Sequence, residues 1–293
     1  MNIPIGWLIA IVATLGGFIS TVGDMSKLWV PAEYAIIFGA GLGALVAANK
    51  WRNLKNIGRA ISRVFVRKET SKAENLEMLS LMFELLQRIR RDGPLSVDSD
   101  LENPHSSGIF GKYPMVLRRE RLVEFVTDYF RMTVDGNMTL SQLDTVMSQE
   151  IDVLDRESRE PAESLEILAD SMPAFGIVAA ITGVIAALSS LGGGGGSPAT
   201  VGGQVAAALI GTLLGVFVAY AVLAPVSRTL YQLAEAEIRP YRAVKEILVA
   251  SFSNFSPMVA VEYGRKVLYS DQRPSMNELE SSIMSTSGQK LRG

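Results

Sequence analysis

The chain has 293 residues, 48% hydrophobic and 20% charged, a balance too apolar for an ordinary soluble protein and too charged for one built only of membrane spans. It has no cysteine and one histidine, His105, which excludes a disulfide framework, a thiolate metal site and a thiol nucleophile, and leaves nothing to build a histidine cluster from. The net charge of −2 carries no nucleic-acid signal, so the position of the charges matters more than their sum.

Ile3 to Gly23 (IPIGWLIAIVATLGGFISTVG) is uncharged and opens without a basic stretch, so it reads as a first span and not as a cleaved leader. A link holding Asp24 and Lys27 leads to a second span, Pro31–Ala48, with Gly39 and Gly43 in GxxxG spacing and Glu33 as its one charge. Glu33 sits at the outer mouth, where it either gathers cations or caps the helix, since acids favour helix amino ends. Lys50, Arg52, Lys55, Arg59, Arg63, Arg67 and Lys68 then precede the first acid, Glu69. By the positive-inside rule that side is cytoplasmic, which puts the amino terminus inside and the Asp24–Val30 link outside.

Residues 49–170 read as a helical cytoplasmic domain. Leu76, Leu79, Phe83, Leu86 and Ile89 recur at three or four, as do Leu122, Phe125, Val126 and Tyr129. Gly93-Pro94 and Asp135-Gly-Asn break these helices. From Leu140 to Asp170 a third helical tract is strongly acidic, and such a run reads first as a solvated face.

Residues 171–227 are uncharged and hold two apolar runs, Pro173–Leu191 and Val201–Pro225, joined by GGGGGSPAT. Each is long enough to cross a hydrocarbon core of about 30 Å, which takes roughly 20 residues. Gly176, Ala180, Gly183 and Ala187 recur along the first run, and Ala207, Gly211, Gly215 and Ala219 along the second, as small-residue faces that let helix backbones approach closely. Pro173 and Pro225 fall at the same membrane face, where proline reads as helix punctuation. Thr182 and Thr212 are expected either to bond their own i−4 carbonyls or to line a wet path. No span carries an acid at its centre, so an ion path needs an ionisable group from a partner chain. In residues 228–293, Arg228, Arg239, Arg242 and Lys245 return the chain to the inside, and the tail from Tyr269 reads as polar and loosely ordered.

The expected fold is an all-α integral membrane protein. Four transmembrane helices (residues 1–48 and 171–227) flank a large helical cytoplasmic domain (49–170), and a cytoplasmic helix and tail (228–293) complete the chain. No constellation in the sequence supports an enzyme.

DSMPAFGIVAAITGV at Asp170–Val184, LIGTLLGVFVAYAVLAP at Leu209–Pro225, AVEYGRKVLYSDQRPS at Ala260–Ser275, DLENP at Asp100–Pro104 and PAE at Pro31–Glu33 resemble the A subunit of the bacterial flagellar stator, the MotA family. The resemblance implies five A chains around two copies of a single-span, MotB-like B subunit bearing a membrane aspartate, lodged in the inner membrane with both termini cytoplasmic. Ion flow between the subunits would turn the rotor. It also implies that Pro173 and Pro225 couple ion binding to movement, and that Arg90 and Asp98, which bracket the Gly93-Pro94 turn, meet opposite charges on the rotor protein FliG. The family commonly has glutamate where Asp98 stands. Sodium-driven relatives carry threonine at the position of Ala180, beside the one matching Thr212; a methyl there offers no oxygen ligand, so the transported ion is expected to be a proton, with no further cofactor. Thr182, roughly 200° around the helix from position 180, does not substitute. The alternative is an ExbB/TolQ-like energiser of envelope processes, but those relatives have three spans. A scaffold without transport is a third reading.

Overall fold

The computed structural model describes residues 3–66, 71–134, 138–192 and 197–288. Among these the secondary structure is helical, with no strand. The chain divides into two compact units, Met1–Arg67 with Arg159–Gln232, and Lys68–Ser158 with Leu233–Gly293. The expected turns at Asp135-Gly-Asn and within the glycine tract at 193–196 lie outside the described residues.

The first unit contains α1 (Ile3–Val22), a 3₁₀ turn at Met25–Leu28, α2 (Pro31–Ala48) and α3 (Trp51–Val66). It also takes the carboxyl part of α8 (Leu140–Gly192), all of α9 (Pro198–Phe217), a π-helical turn at Val218–Leu223 and the start of α10 (Ala224–Phe252). Local chemistry explains the boundaries. Gly23, at φ +76°, ends α1 in a left-handed conformation that side chains resist. The Asp24 carboxylate accepts the Ser26 amide, and the Ser197 hydroxyl accepts the Thr200 amide ahead of Pro198 at the start of α9. Among the described residues four helical stretches are long and apolar enough to cross a membrane. Leu8, Ile9, Val12, Ile181, Leu188 and Leu209 stand exposed on them, the arrangement expected where the solvent is lipid.

The second unit contains α4 (Lys72–Asp92), a 3₁₀ turn at Pro94–Val97, α5 (Asp98–Glu102), α6 (Pro114–Leu117) and α7 (Glu120–Val134). With them go the amino part of α8, the rest of α10, α11 (Pro257–Val267) and α12 (Met276–Gly288). Ser71 caps α4 by accepting the Glu74 amide, and Gly93 ends it at φ +89°. The apolar rows expected on α4 and α7 meet in one core: Leu79, Met82, Leu85, Phe130, Leu143, Val244, Ile247 and Val261 are all sealed from solvent.

Three expectations are corrected here. The tail is docked: Leu279 is fully buried in the core, Lys72 pairs with Glu278 at 2.8 Å, and the Ser80 and Ser282 hydroxyls meet at 3.0 Å. A single apolar residue per turn is enough to seat α12 on a ready-made surface, and composition averages over it. The acidic tract is only partly a solvated face, because Asp144 pairs with Lys245 and Asp155 with Arg242, while Glu150 accepts the Tyr129 hydroxyl at 2.7 Å. Burial, and then that hydrogen bond, push the Tyr129 phenol well above its ordinary pKa. Finally, Pro173 neither begins nor ends a helix, since α8 runs through it as one helix of 53 residues.

Candidate functional site

In the first unit the small residues form a seam between α8 and α9. A methyl added to Gly215 would lie 2.8 Å from the Met172 carbonyl and 2.9 Å from Gly176 Cα, and one on Gly176 would lie 3.0 Å from the Gly211 carbonyl. One on Gly183 would lie 2.8 Å from Ala208 Cβ. The two backbones therefore touch at three successive levels, a fit open to glycine and closed to larger residues. The seam keeps Gly176, Gly183, Gly211 and Gly215 of the sequence reading and differs from it by one residue at two alanines. Ala179 and Ala208 are buried in the seam, whereas Ala180 and Ala207 are half-buried at its border. Spacing of three or four cannot distinguish neighbours when both are alanine.

Pro173 adjoins Met172, whose carbonyl faces Gly215, so the proline turn sits at one of the close approaches of the two helices. Pro225 lacks the amide that would bond the Ala221 carbonyl, and its ring crowds that carbonyl. The π turn at Val218–Leu223 absorbs the conflict: the Ala224 amide bonds the Ala219 carbonyl five residues back, and the helix continues as α10. Neither proline is punctuation. Ala219 in the widened turn, Met172, Ala179 and Ile37 of α2 form a small buried cluster beside them. Below it the Ser227 hydroxyl donates to the Ala162 carbonyl at 2.9 Å, tying the two helices again.

Glu33 is where the structure adds most. Its Cγ lies 3.3 Å from the place a Gly211 methyl would occupy, and Ala179 Cβ lies equally close. Gly211 stands about halfway along the second apolar run, so the acid in the first turn of α2 packs against the middle of that run. Sequence position on α2 hid this partner, because which helix faces a residue depends on how the helices pack. Thr212 is adjacent: its Cα would be 3.3 Å from a methyl on Gly176, and its hydroxyl makes no hydrogen bond among the described residues. Thr182 instead donates to the Val178 carbonyl at 2.9 Å on an exposed face.

In the second unit the end of α4 carries three arginines with different partners. Arg88 pairs with the buried Asp100 at 3.2 Å, and Arg91 pairs with its neighbour Asp92 at 2.7 Å. Arg90 is exposed, and among the described residues its guanidinium reaches only the Phe255 carbonyl, at 3.5 Å. Asp98 is exposed at the start of α5. Arg90 and Asp98 thus present opposite charges from the two sides of one turn. The Ala260–Ser275 motif holds its own backbone in place, because Arg265 binds Glu262 through Nε and Nη2 and the Pro274 carbonyl through Nη1 at 2.7 Å.

Residues 4–93 match the motility protein A N-terminal model, and residues 119–243 match the MotA/TolQ/ExbB proton channel family. Motility protein A of Salmonella typhimurium is 37% identical over 97% of this chain and 95% of its own. The chain belongs to the motility protein A family. Chemotaxis protein LafT of Vibrio parahaemolyticus is another relative, 32% identical over 97% of this chain and 99% of that protein. The fold is shared with a MotAB structure from C. jejuni, at TM-score 0.72 and 20% identity over 94% of this chain and 98% of that one. It is shared too with the flagellar MotAB stator complex of Bacillus subtilis, at TM-score 0.68 and 23% identity over 94% and 97%. In this chain the prolines, the seam and Glu33 lie on helices long and apolar enough to cross a membrane.

Proposed function

We propose that this chain is a stator subunit of a bacterial flagellar motor, forming with a single-span, MotB-like B subunit a proton channel whose ion flow drives torque on the rotor. The carrying observation is the identity of 37% to a motility protein A over nearly the whole of both chains. Four apolar stretches and the match at residues 4–93 favour it over an ExbB/TolQ-like energiser. The inner membrane is the expected location, with both termini and the second unit cytoplasmic. The ring contact of Trp7 in α1 with Phe65 in α3, 5.8 Å between centroids, supports putting the amino end of the first span and the segment after the second on one face. Gly39 and Gly43 have nothing within 4 Å, which leaves the GxxxG face of α2 open to neighbouring subunits and supports a homo-oligomer; five A around two B is the assembly proposed.

In this reading the partner's aspartate meets the Glu33, Gly211 and Thr212 region. The π turn and Pro173 are the joints that convert its protonation into motion. Pro225→Ala restores an amide for the Ala221 carbonyl and lets the π turn relax to α-helix, which removes one residue from the turn and rotates α10 by about 100°. Pro173→Ala stiffens α8 at the seam. Both variants are expected to reach the membrane at normal level and to abolish swimming. Normal swimming by both would sink the coupling role.

The ion is expected to be a proton, because Ala179 in the seam and Ala180 at its border carry methyls, which offer no oxygen ligand, and the Thr182 hydroxyl is committed to its own helix. Cells with this chain as sole A subunit should keep swimming in sodium-free medium and stop with a protonophore; the reverse pattern would assign sodium. Arg90 and Asp98 are the proposed contacts to FliG. Arg90→Glu should cut torque severalfold with little change in assembly, and reversing the facing rotor charge should restore part of it, since exposed pairs select partners more than they add stability. Unchanged swimming speed would remove Arg90 from the interface.

A further inference from the structure

Helix α3 contains no acid, and its side chains divide into three faces. Asn53, Ile57 and Val64 are buried. Asn53 Nδ2 donates to Asn49 Oδ1 at 2.6 Å and to Ser164 Oγ at 3.1 Å, which clamps the start of α3 to α8 and fixes its rotation. The second face is apolar and open: Trp51 is 71% exposed at one end and Phe65 is 40% exposed at the other, with Phe65 against Trp7 near the end of α1. The third is a row of Arg52, Lys55, Arg59 and Arg63, spaced three or four apart and all exposed. With the first face spent on packing, the basic row cannot turn inward.

We propose that α3 lies in the membrane surface and that its basic row binds the headgroups of anionic phospholipids. Three observations converge. The helix begins three residues after α2 ends and its far end touches α1, so it runs level with the ends of two spans. The apolar face carries an aromatic at each end, and tryptophan and aromatic rings settle at the headgroup boundary. The basic row flanks that face directly, so when Trp51 and Phe65 enter the acyl boundary the guanidinium and ammonium groups fall at phosphate depth, the geometry of an interfacial helix. A basic face held more than a Debye length from the bilayer would leave acidic and zwitterionic lipid retained equally. A row of this kind strengthens binding to an anionic surface roughly five-fold per residue.

The test uses the full-length chain, purified in mild detergent and offered equal amounts of phosphatidylglycerol and phosphatidylcholine with identical acyl chains. Retained lipid is counted by native mass spectrometry. The wild type should retain phosphatidylglycerol at least ten-fold over phosphatidylcholine. The variant Arg52→Gln, Lys55→Gln, Arg59→Gln, Arg63→Gln should lose most of that preference, while Arg90→Gln, remote on the chain and outside α3, should keep it. If the four-fold variant does not insert, salt provides the second reading: the wild-type preference should fall several-fold between about 0.05 and 0.5 M salt, because exposed pairs are screened. Inorganic phosphate at the same ionic strength should do no more than chloride, which separates a lipid surface from a free-phosphate site. Equal retention of the two lipids by the wild type, or an undiminished preference in the variant, overturns the proposal. An acidic protein partner for the row would give the first of these results.

Discussion

Gly264→Ala is expected to unfold the packing of α11 in the second unit. A methyl at this position would collide with the Ile247 side chain and lie 2.7 Å from the Ala243 carbonyl, and Ile247 and Ala243 are both fully buried. On an exposed helix the same change gains about 1 kcal/mol from propensity. Overpacking a core costs about 1–3 kcal/mol, and more where backbone must move, so the clash decides the sign. Against a typical total of about 5–15 kcal/mol, the loss should lower the unfolding temperature of the purified chain by several degrees and cut its level in cells. Gly111→Ala, with open space around it, is the matching control and should be near neutral. Adding Ile247→Ala should recover part of the loss, but not all, because the Ala243 carbonyl remains. A Gly264→Ala chain as stable as wild type would mean that α11 is free to shift outward.

Gly215→Ala is expected to abolish motility by a different route. The added methyl meets two backbone atoms of α8, the Met172 carbonyl at 2.8 Å and Gly176 Cα at 2.9 Å, so no rotamer change can relieve it. Helices α8 and α9 must separate at the level of Pro173, and the Glu33 contact with Gly211, one turn away, must loosen with them. In lipid the pair has no water exclusion to hold it, only packing and hydrogen bonds, so lost contact is not compensated elsewhere. Membrane insertion depends on hydropathy and should persist. The check is swimming together with a bifunctional cross-link between cysteines placed at 190 and 204, where the Ser190 and Gln204 side chains already meet at 3.2 Å between α8 and α9: swimming should stop and the cross-link should fall sharply. Retention of both would show that the seam has slack. Gly16→Ala in α1, where nothing lies within 4 Å in this chain, should leave the cross-link unchanged.

The family resemblance, the helical class and the four apolar stretches were all legible in the amino-acid order. Each depends on local composition or on motifs such as DSMPAFGIVAAITGV, which survive without knowledge of any contact. The apolar rows on α4 and α7 were legible for the same reason, since a helical period of 3.6 residues maps directly onto one buried face. Tertiary structure decided the rest. Pro173 and Pro225 read as helix ends, yet neighbouring helices hold the chain helical through them, one within α8 and the other behind a π turn. Ala179 and Ala208, rather than Ala180 and Ala207, enter the seam because helix rotation is set by what packs across it. Leu279 seats a tail whose composition is that of a loose end, and Asp144 and Asp155 leave the solvated face for Lys245 and Arg242. Glu33 is the sharpest case. Its charge and its place in the first turn of α2 could be read along the chain, but its position opposite Gly211, more than a hundred and seventy residues later, is a property of how two helices lie against each other. Periodicity describes one helix at a time; the partner is set by a second one, and long-range packing is the only term that encodes it.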